Sequence, residues 1–154
     1  MNFFSIDNLE KYFMDALSEI ISKMAGLTFN ALLTEENSSF DEITGVMILP
    51  GKNNGILFIT TNENSLRFIC SCMTGTQKED VSINDIEDTL CELVNMTAGS
   101  AKQRLSKSNI IFNLSEPFLF KGKNMQILCK NKTRVISSVL ENEEVIIGVK
   151  IAYL

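Results

Sequence analysis

At 154 residues, 45% apolar and 21% charged, the chain has the size and balance of one globular domain with a sizeable core, and no apolar run approaches the ~20 residues of a membrane span. It contains no histidine, which excludes Ser-His-Asp and Cys-His nucleophilic machinery and removes the commonest metal ligand. The net charge of −5 is unevenly spread: residues 1–101 carry five basic and fifteen acidic side chains, residues 102–134 eight basic and one acidic.

The first predicted helix runs from about Ser5 to Met24. Ile6, Leu9, Phe13, Leu17, Ile20, Ile21 and Met24 form its apolar stripe and Gly26 stops it. Asp7, Glu10 and Asp15 break up any signal-peptide-like apolar region, so a cytoplasmic protein is expected. Three strand-like pieces follow, Leu27 to Thr34, Ile43 to Leu49 and Ile56 to Thr61, the last two joined by a hairpin loop at Pro50–Gly55. A linking helix is predicted over about 63–74, ending at Gly75. Cys70 and Cys72 on it, with Cys91 and Cys129, form no C-x-x-C pair, so zinc sites and disulfide frameworks are not expected and reduced thiols are.

Ser82, with Asp85 three residues on, reads as the N-cap of a long central helix. Wound at 3.6 residues per turn, Ile86, Leu90, Leu93, Val94, Thr97, Ala98, Ala101 and Leu105 fall on one face. Asp88, Glu92, Asn95, Gly99 and Lys102 fall on the other, placing a carboxylate and a carboxamide one turn apart. On most exposed helices such a pair is solvated surface. The small residues Ala98, Gly99, Ser100 and Ala101 serve tight packing against the first helix, room beside Asn95 for a partner, or both. Three further strands are predicted: Ile110 to Leu114, a stretch within Gln126 to Leu140, and Val145 to Tyr153, with a turn at Glu141–Glu143 before the last. The basic side chains of 102–134 read as solvated faces or as a surface for something acidic; Phe118 and Phe120 are the segment's stackable aromatics apart from Phe112, and nucleic acid is the weaker partner class.

The two halves echo each other. Asp15, Glu19, Ser22 and Gly26 repeat the spacing of Asp88, Glu92, Asn95 and Gly99, with Ala25 matching Ala98. Each half is a helix followed by three strands, over about 5–61 and 82–154. The expected fold is α+β in one domain spanning 1–154: an internally duplicated helix-plus-three-strand unit, its strands in one antiparallel sheet with the two long helices packed on one face.

The segment Glu92-Leu-Val-Asn95-Met-Thr-Ala-Gly99, preceded by Asp88 and set in this duplicated layout, resembles the active-site helix of the CheC/CheX/FliY family of chemotaxis phosphatases. Pro117 lies roughly where the family pattern has a proline, and the likeness covers essentially the whole chain. It implies hydrolysis of the phospho-aspartate of a CheY-like response regulator, which itself holds the Mg2+ ion, with no cofactor or metal on this chain. By the same likeness Asn95 orients the attacking water and Glu92 engages a cation of the regulator. On the same face Asp88 is read as helix-orienting or a rim contact, Gly99 as clearing room and Lys102 as attracting the regulator's acidic surface, which makes the three partner-binding candidates. CheC-type proteins use two such helices and CheX-type proteins the second alone. Here Asp15, Glu19 and Ser22 form a degenerate first site, because a serine hydroxyl is too short to hold the same water, so the chain reads as closer to CheX, whose members form homodimers. The alternative is a non-catalytic CheX-like module that binds a regulator or a flagellar switch component.

Overall fold

The computed structural model describes residues 9–33, 39–52, 54–130 and 133–153. The first half gives helix α1 (Leu9–Ala25) and strands β1 (Asn30–Leu33), β2 (Ile43–Leu49) and β3 (Gly55–Thr61). Helix α2 (Glu63–Thr74) and a 3-10 turn at Lys78–Asp80 link it to the second half: helix α3 (Ile83–Ser106) and strands β4 (Phe118–Lys121), β5 (Arg134–Glu141) and β6 (Ile146–Tyr153). The predicted first turn of α1, before Leu9, and Thr34 lie outside the described residues.

Helix ends form where side chains or left-handed residues can satisfy the terminal backbone groups. Gly26, at φ 70°, closes α1 by donating its N–H to the Ser22 carbonyl at 3.0 Å. Asn62 Oδ1 caps α2 by accepting from Ser65 N at 2.8 Å, and left-handed Gly75 ends it. At α3 the capping box is complete: Asp85 N donates to Ser82 Oγ at 3.1 Å, and Ser82 N donates to Asp85 Oδ2 at 2.9 Å. Asn109, at φ 59°, turns the chain so that Ile110 N reaches the Leu105 carbonyl.

The strands form one six-stranded sheet, antiparallel at every pairing, in the order β1-β5-β6-β3-β2-β4. Exchanging β1 with β4, β2 with β5 and β3 with β6 turns that order into its own reverse. The internal repeat is therefore a pseudo-two-fold about the central β3–β6 pair. α1 and α3 pack against each other on one face, α1 chiefly over β5 and β6 and α3 chiefly over β2 and β3. Each long helix thus covers strands of the other half.

Between helices and sheet lies the main core. Leu9, Phe13, Leu17 and Ile21 of α1 meet Leu90, Leu93, Val94 and Ala98 of α3 in one apolar cluster with Ile59, Val149 and Ile151. The opposite face carries a smaller cluster of Val46, Phe58, Val135 and Ala152, partly covered by Phe40 and Ile127. Lys150 is buried on that face with its ammonium 5.9 Å from the Phe40 ring, and desolvation pushes its pKa down.

One predicted strand is corrected. Ile110–Leu114 is not a sheet strand; the fourth strand is Phe118–Lys121, paired with Ile43–Val46 of β2. The earlier segment runs extended past the end of β2, held by single bonds: Asn113 N to Pro50 O at 2.7 Å, Ser115 N to Ile48 O at 3.0 Å, and an isolated bridge between Gly51 and Phe112. Ile110 and Phe112 plug the core while Ile111 is exposed, an alternation indistinguishable from that of a strand.

Candidate functional site

α3 buries Ile86, Thr89, Leu90, Leu93, Val94, Thr97, Ala98, Ala101 and Leu105, so its rotation about its own axis is fixed. Asp88, Glu92 and Asn95 consequently face solvent along one stripe, continued by half-exposed Gly99 and Lys102. Among the described residues, the side chains of Asp88, Glu92, Asn95 and Lys102 make no hydrogen bond or ion pair. The anchored helix thus presents two acids, an amide and an amine uncommitted. Met96 beside Asn95 is 36% exposed, a surface apolar group that periodicity alone does not flag.

The flanks of this stripe are engaged. Lys121 Nζ of β4 donates to Glu87 Oε1 at 2.6 Å, tying the sheet edge to α3 one residue before Asp88. The Cys91 thiol is half-buried; burial first, then the Asp88 and Glu87 carboxylates, push its pKa up, so it stays protonated and is a poor nucleophile. Gly99 leaves a gap: a Cβ there would meet nothing within 4 Å. Close packing needs Ala98 and Ala101, both fully buried, and does not need Gly99.

On α1, Asp15 is half-exposed and Glu19 and Ser22 are exposed, the same outward disposition. Their surroundings differ. The Arg104 guanidinium of α3 donates to Glu19 Oε2, so that carboxylate already has a cation from its own chain. A cleft of about 340 Å³ lies beside it, lined by Ser18, Glu19, Ser22, Lys23, Thr28 and Phe29. The two sets of residues sit on separate helices. Sequence spacing identified both stripes but missed Arg104, whose partner is 85 residues away. Among the described residues no group of three or more Cys, Asp or Glu side chains is arranged to hold a metal ion. No helix there is long and apolar enough to cross a membrane.

The family model described as chemotaxis phosphatase CheX matches residues 43–140 of this chain, which include all of α3. Several solved structures share the fold. A CheC-like superfamily protein from Shewanella sp. PV-4 is 25% identical, with 100% of this chain and 99% of that chain covered and a TM-score of 0.82. Chemotaxis protein CheX from Vibrio vulnificus is 20% identical over 96% of this chain and 100% of that chain, TM-score 0.82. A chain of the CheX-CheY-BeF3-Mg2+ complex from Borrelia burgdorferi is 20% identical over 95% of this chain and 97% of that chain, TM-score 0.74. No protein with a curated description matches.

Proposed function

The chain belongs to the chemotaxis phosphatase CheX family, and from that premise we propose that it accelerates hydrolysis of the phospho-aspartate of a CheY-like response regulator by inserting Glu92 and Asn95 into the regulator's active site. The observation that carries this reading is the outward stripe of α3, where both side chains stand exposed and unengaged beside the open space at Gly99. A partner of this kind is supported by the solved complex of a similar chain with CheY, BeF3 and Mg2+.

The residue types suit the chemistry. An acyl phosphate is already activated, so the phosphatase need supply no nucleophile or strong base. It must hold a water in line with phosphorus. The Asn95 amide can donate to and accept from that water without adding negative charge beside the phosphoryl group. Glu92 pairs with a cation of the regulator and docks the helix, as Arg104 pairs with Glu19 inside this chain. Asp88 and Lys102 contact the rim, and Mg2+ stays with the regulator's own carboxylates. The first helix, with Ser22 for the amide and Glu19 taken by Arg104, serves the fold and not catalysis. The unpaired cysteines suit a reducing cytoplasm. A second copy pairs along an exposed sheet edge to give a homodimer; sedimentation at one chain's mass would rule that out.

The test is loss of label from a phosphorylated regulator with and without the protein. Asn95→Ala should lower the acceleration by about 100-fold or more while complex formation persists. Equal rates for wild type and variant end the mechanism. Binding with no acceleration even by wild type selects the alternative, a non-catalytic CheX-like module on a regulator or flagellar switch component.

A further inference from the structure

The helix that carries Asn95 rests on a bare spot of the sheet. Along β2, Ile43, Met47 and Leu49 point into the core beneath the helices, and Gly45, in register with them, has no side chain to offer. A Cβ built on Gly45 would stand 2.6 Å from Val94 Cγ2, 3.1 Å from Leu90 Cγ and 3.4 Å from Leu119 Cδ2. Carbon atoms pack at about 3.5–4.0 Å, so one methyl group here would force α3 or its side chains away by roughly 1 Å. Little can give locally. Leu90 and Val94 are fully buried, and a valine in a helix is held to one strongly preferred rotamer.

Leu90 and Val94 lie one turn apart on the inward face, directly behind the Glu92 to Asn95 turn. Whatever sets their depth sets the height and tilt of the two outward side chains. The sheet supplies an internal comparison. Gly45 pairs across with Ile59, Ile59 with Val149, and Val149 with Ser138, so Ser138 stands in the same cross-strand row on β5, a strand under α1. Ser138 carries a side chain, fully buried. The glycine notch lies on the strand beneath the helix that bears the amide, in the opposite half of the repeat.

Resting on the phosphatase reading above, we propose that Gly45 is a positioning residue for the reaction: by leaving β2 bare under Leu90 and Val94, it fixes the depth at which α3 delivers Glu92 and Asn95 to the regulator. In-line attack tolerates misplacement of only about 0.5 Å, and 1 Å can cost about 100-fold in rate. Docking is spread over a whole face and is far less sensitive. A glycine that serves packing alone would, when changed, alter stability and not the chemistry of the folded molecules.

The experiment compares Gly45→Ala with the double variant Gly45→Ala/Val94→Ala, which removes both valine methyls, including the Cγ2 that faces the new Cβ. The readouts are kcat and KM for loss of phosphate from the regulator, with thermal melts to establish the folded fraction. Gly45→Ala should lose about 10-fold or more in kcat with KM changed less than about 3-fold, and the double variant should recover most of the loss. Unchanged kcat in folded Gly45→Ala, or a change confined to KM, overturns the proposal. If Gly45→Ala does not fold, the double variant decides: near-wild-type kcat supports the notch, and a folded but slow double variant refutes it. Failure of the phosphatase reading itself is visible separately, as a wild-type chain that does not accelerate phosphate loss.

Discussion

A carboxylate on a helix face acquires a function through what it is left free to touch. Glu19 and Glu92 occupy equivalent places in the repeat, yet Arg104 engages the first and no described residue engages the second. The outward direction of both was readable, because apolar residues at 3.6-residue spacing fix each helix's rotation. The Arg104 contact was not, since nothing local in a chain announces which side chain 85 residues away will arrive. Gly99 gives a test at the same scale. A glycine inside a helix costs about 1 kcal/mol relative to alanine, and here no internal contact requires it, a Cβ meeting nothing within 4 Å. Gly99→Ala should therefore raise stability by about 0.5–1 kcal/mol, seen as a higher urea midpoint at unchanged slope. The added methyl stands on the docking stripe, so regulator affinity should fall in the same variant. A loss of stability would mean that Gly99 serves the fold after all.

At the scale of elements, those with strong end signals were read from sequence and the weakly signalled strand was not. Ser82 with Asp85 announced the start of α3, and Gly26 and Gly75 announced the ends of α1 and α2. β4 is four residues long, flanked by Pro117 and Gly122, and holds a half-exposed edge, so its pattern is faint beside the alternation of Ile110–Leu114. The capping box that was readable also makes α3 sensitive to acid. Hydrogen bonds from the Ser82 backbone, then from its side chain, hold the Asp85 carboxyl below its ordinary 3.8. The unfolded chain therefore takes up this proton at a higher pH than the folded one. The cap's contribution is complete above about 3.8 and is lost as pH falls through the lower folded value. Ser82→Ala should cost about 1 kcal/mol at neutral pH. Asp85→Asn should flatten the part of the stability profile below 3.8. Urea denaturation of wild type and both variants at pH 7 and near pH 3 reads both effects, and parallel acid profiles for wild type and Asp85→Asn would show that the box carries no charge-dependent stability.

For the whole molecule, the layers follow from the internal repeat, but pattern alone could not show that the halves interleave. Two self-contained units would each fold their own helix onto their own strands. Instead α1 lies over β5 and β6 while α3 lies over β2 and β3, and the central β3–β6 pair joins one strand from each half. Sequence periodicity fixes which face of a helix is buried and is silent about whose strands bury it. The arrangement has a thermodynamic consequence. Leu9, Phe13, Leu17, Ile20 and Ile21 are each at most 8% exposed in the complete chain, and burying a side chain of this size is worth roughly 1.5–3 kcal/mol. Removing the second half exposes much of that stripe, a loss comparable with the ~5–15 kcal/mol by which a typical domain is stable at all. Fragments 1–77 and 78–154, cut in the polar connector between α2 and α3, should each lack a cooperative unfolding transition. Mixed at equal concentration they should regain the far-ultraviolet circular dichroism and the melt of the intact chain, together with its effect on a phosphorylated regulator. A cooperative melt from either fragment alone would show that the halves are independent units, and the stripe of α3 would then owe its fixed rotation to its own half and not to the strands it crosses.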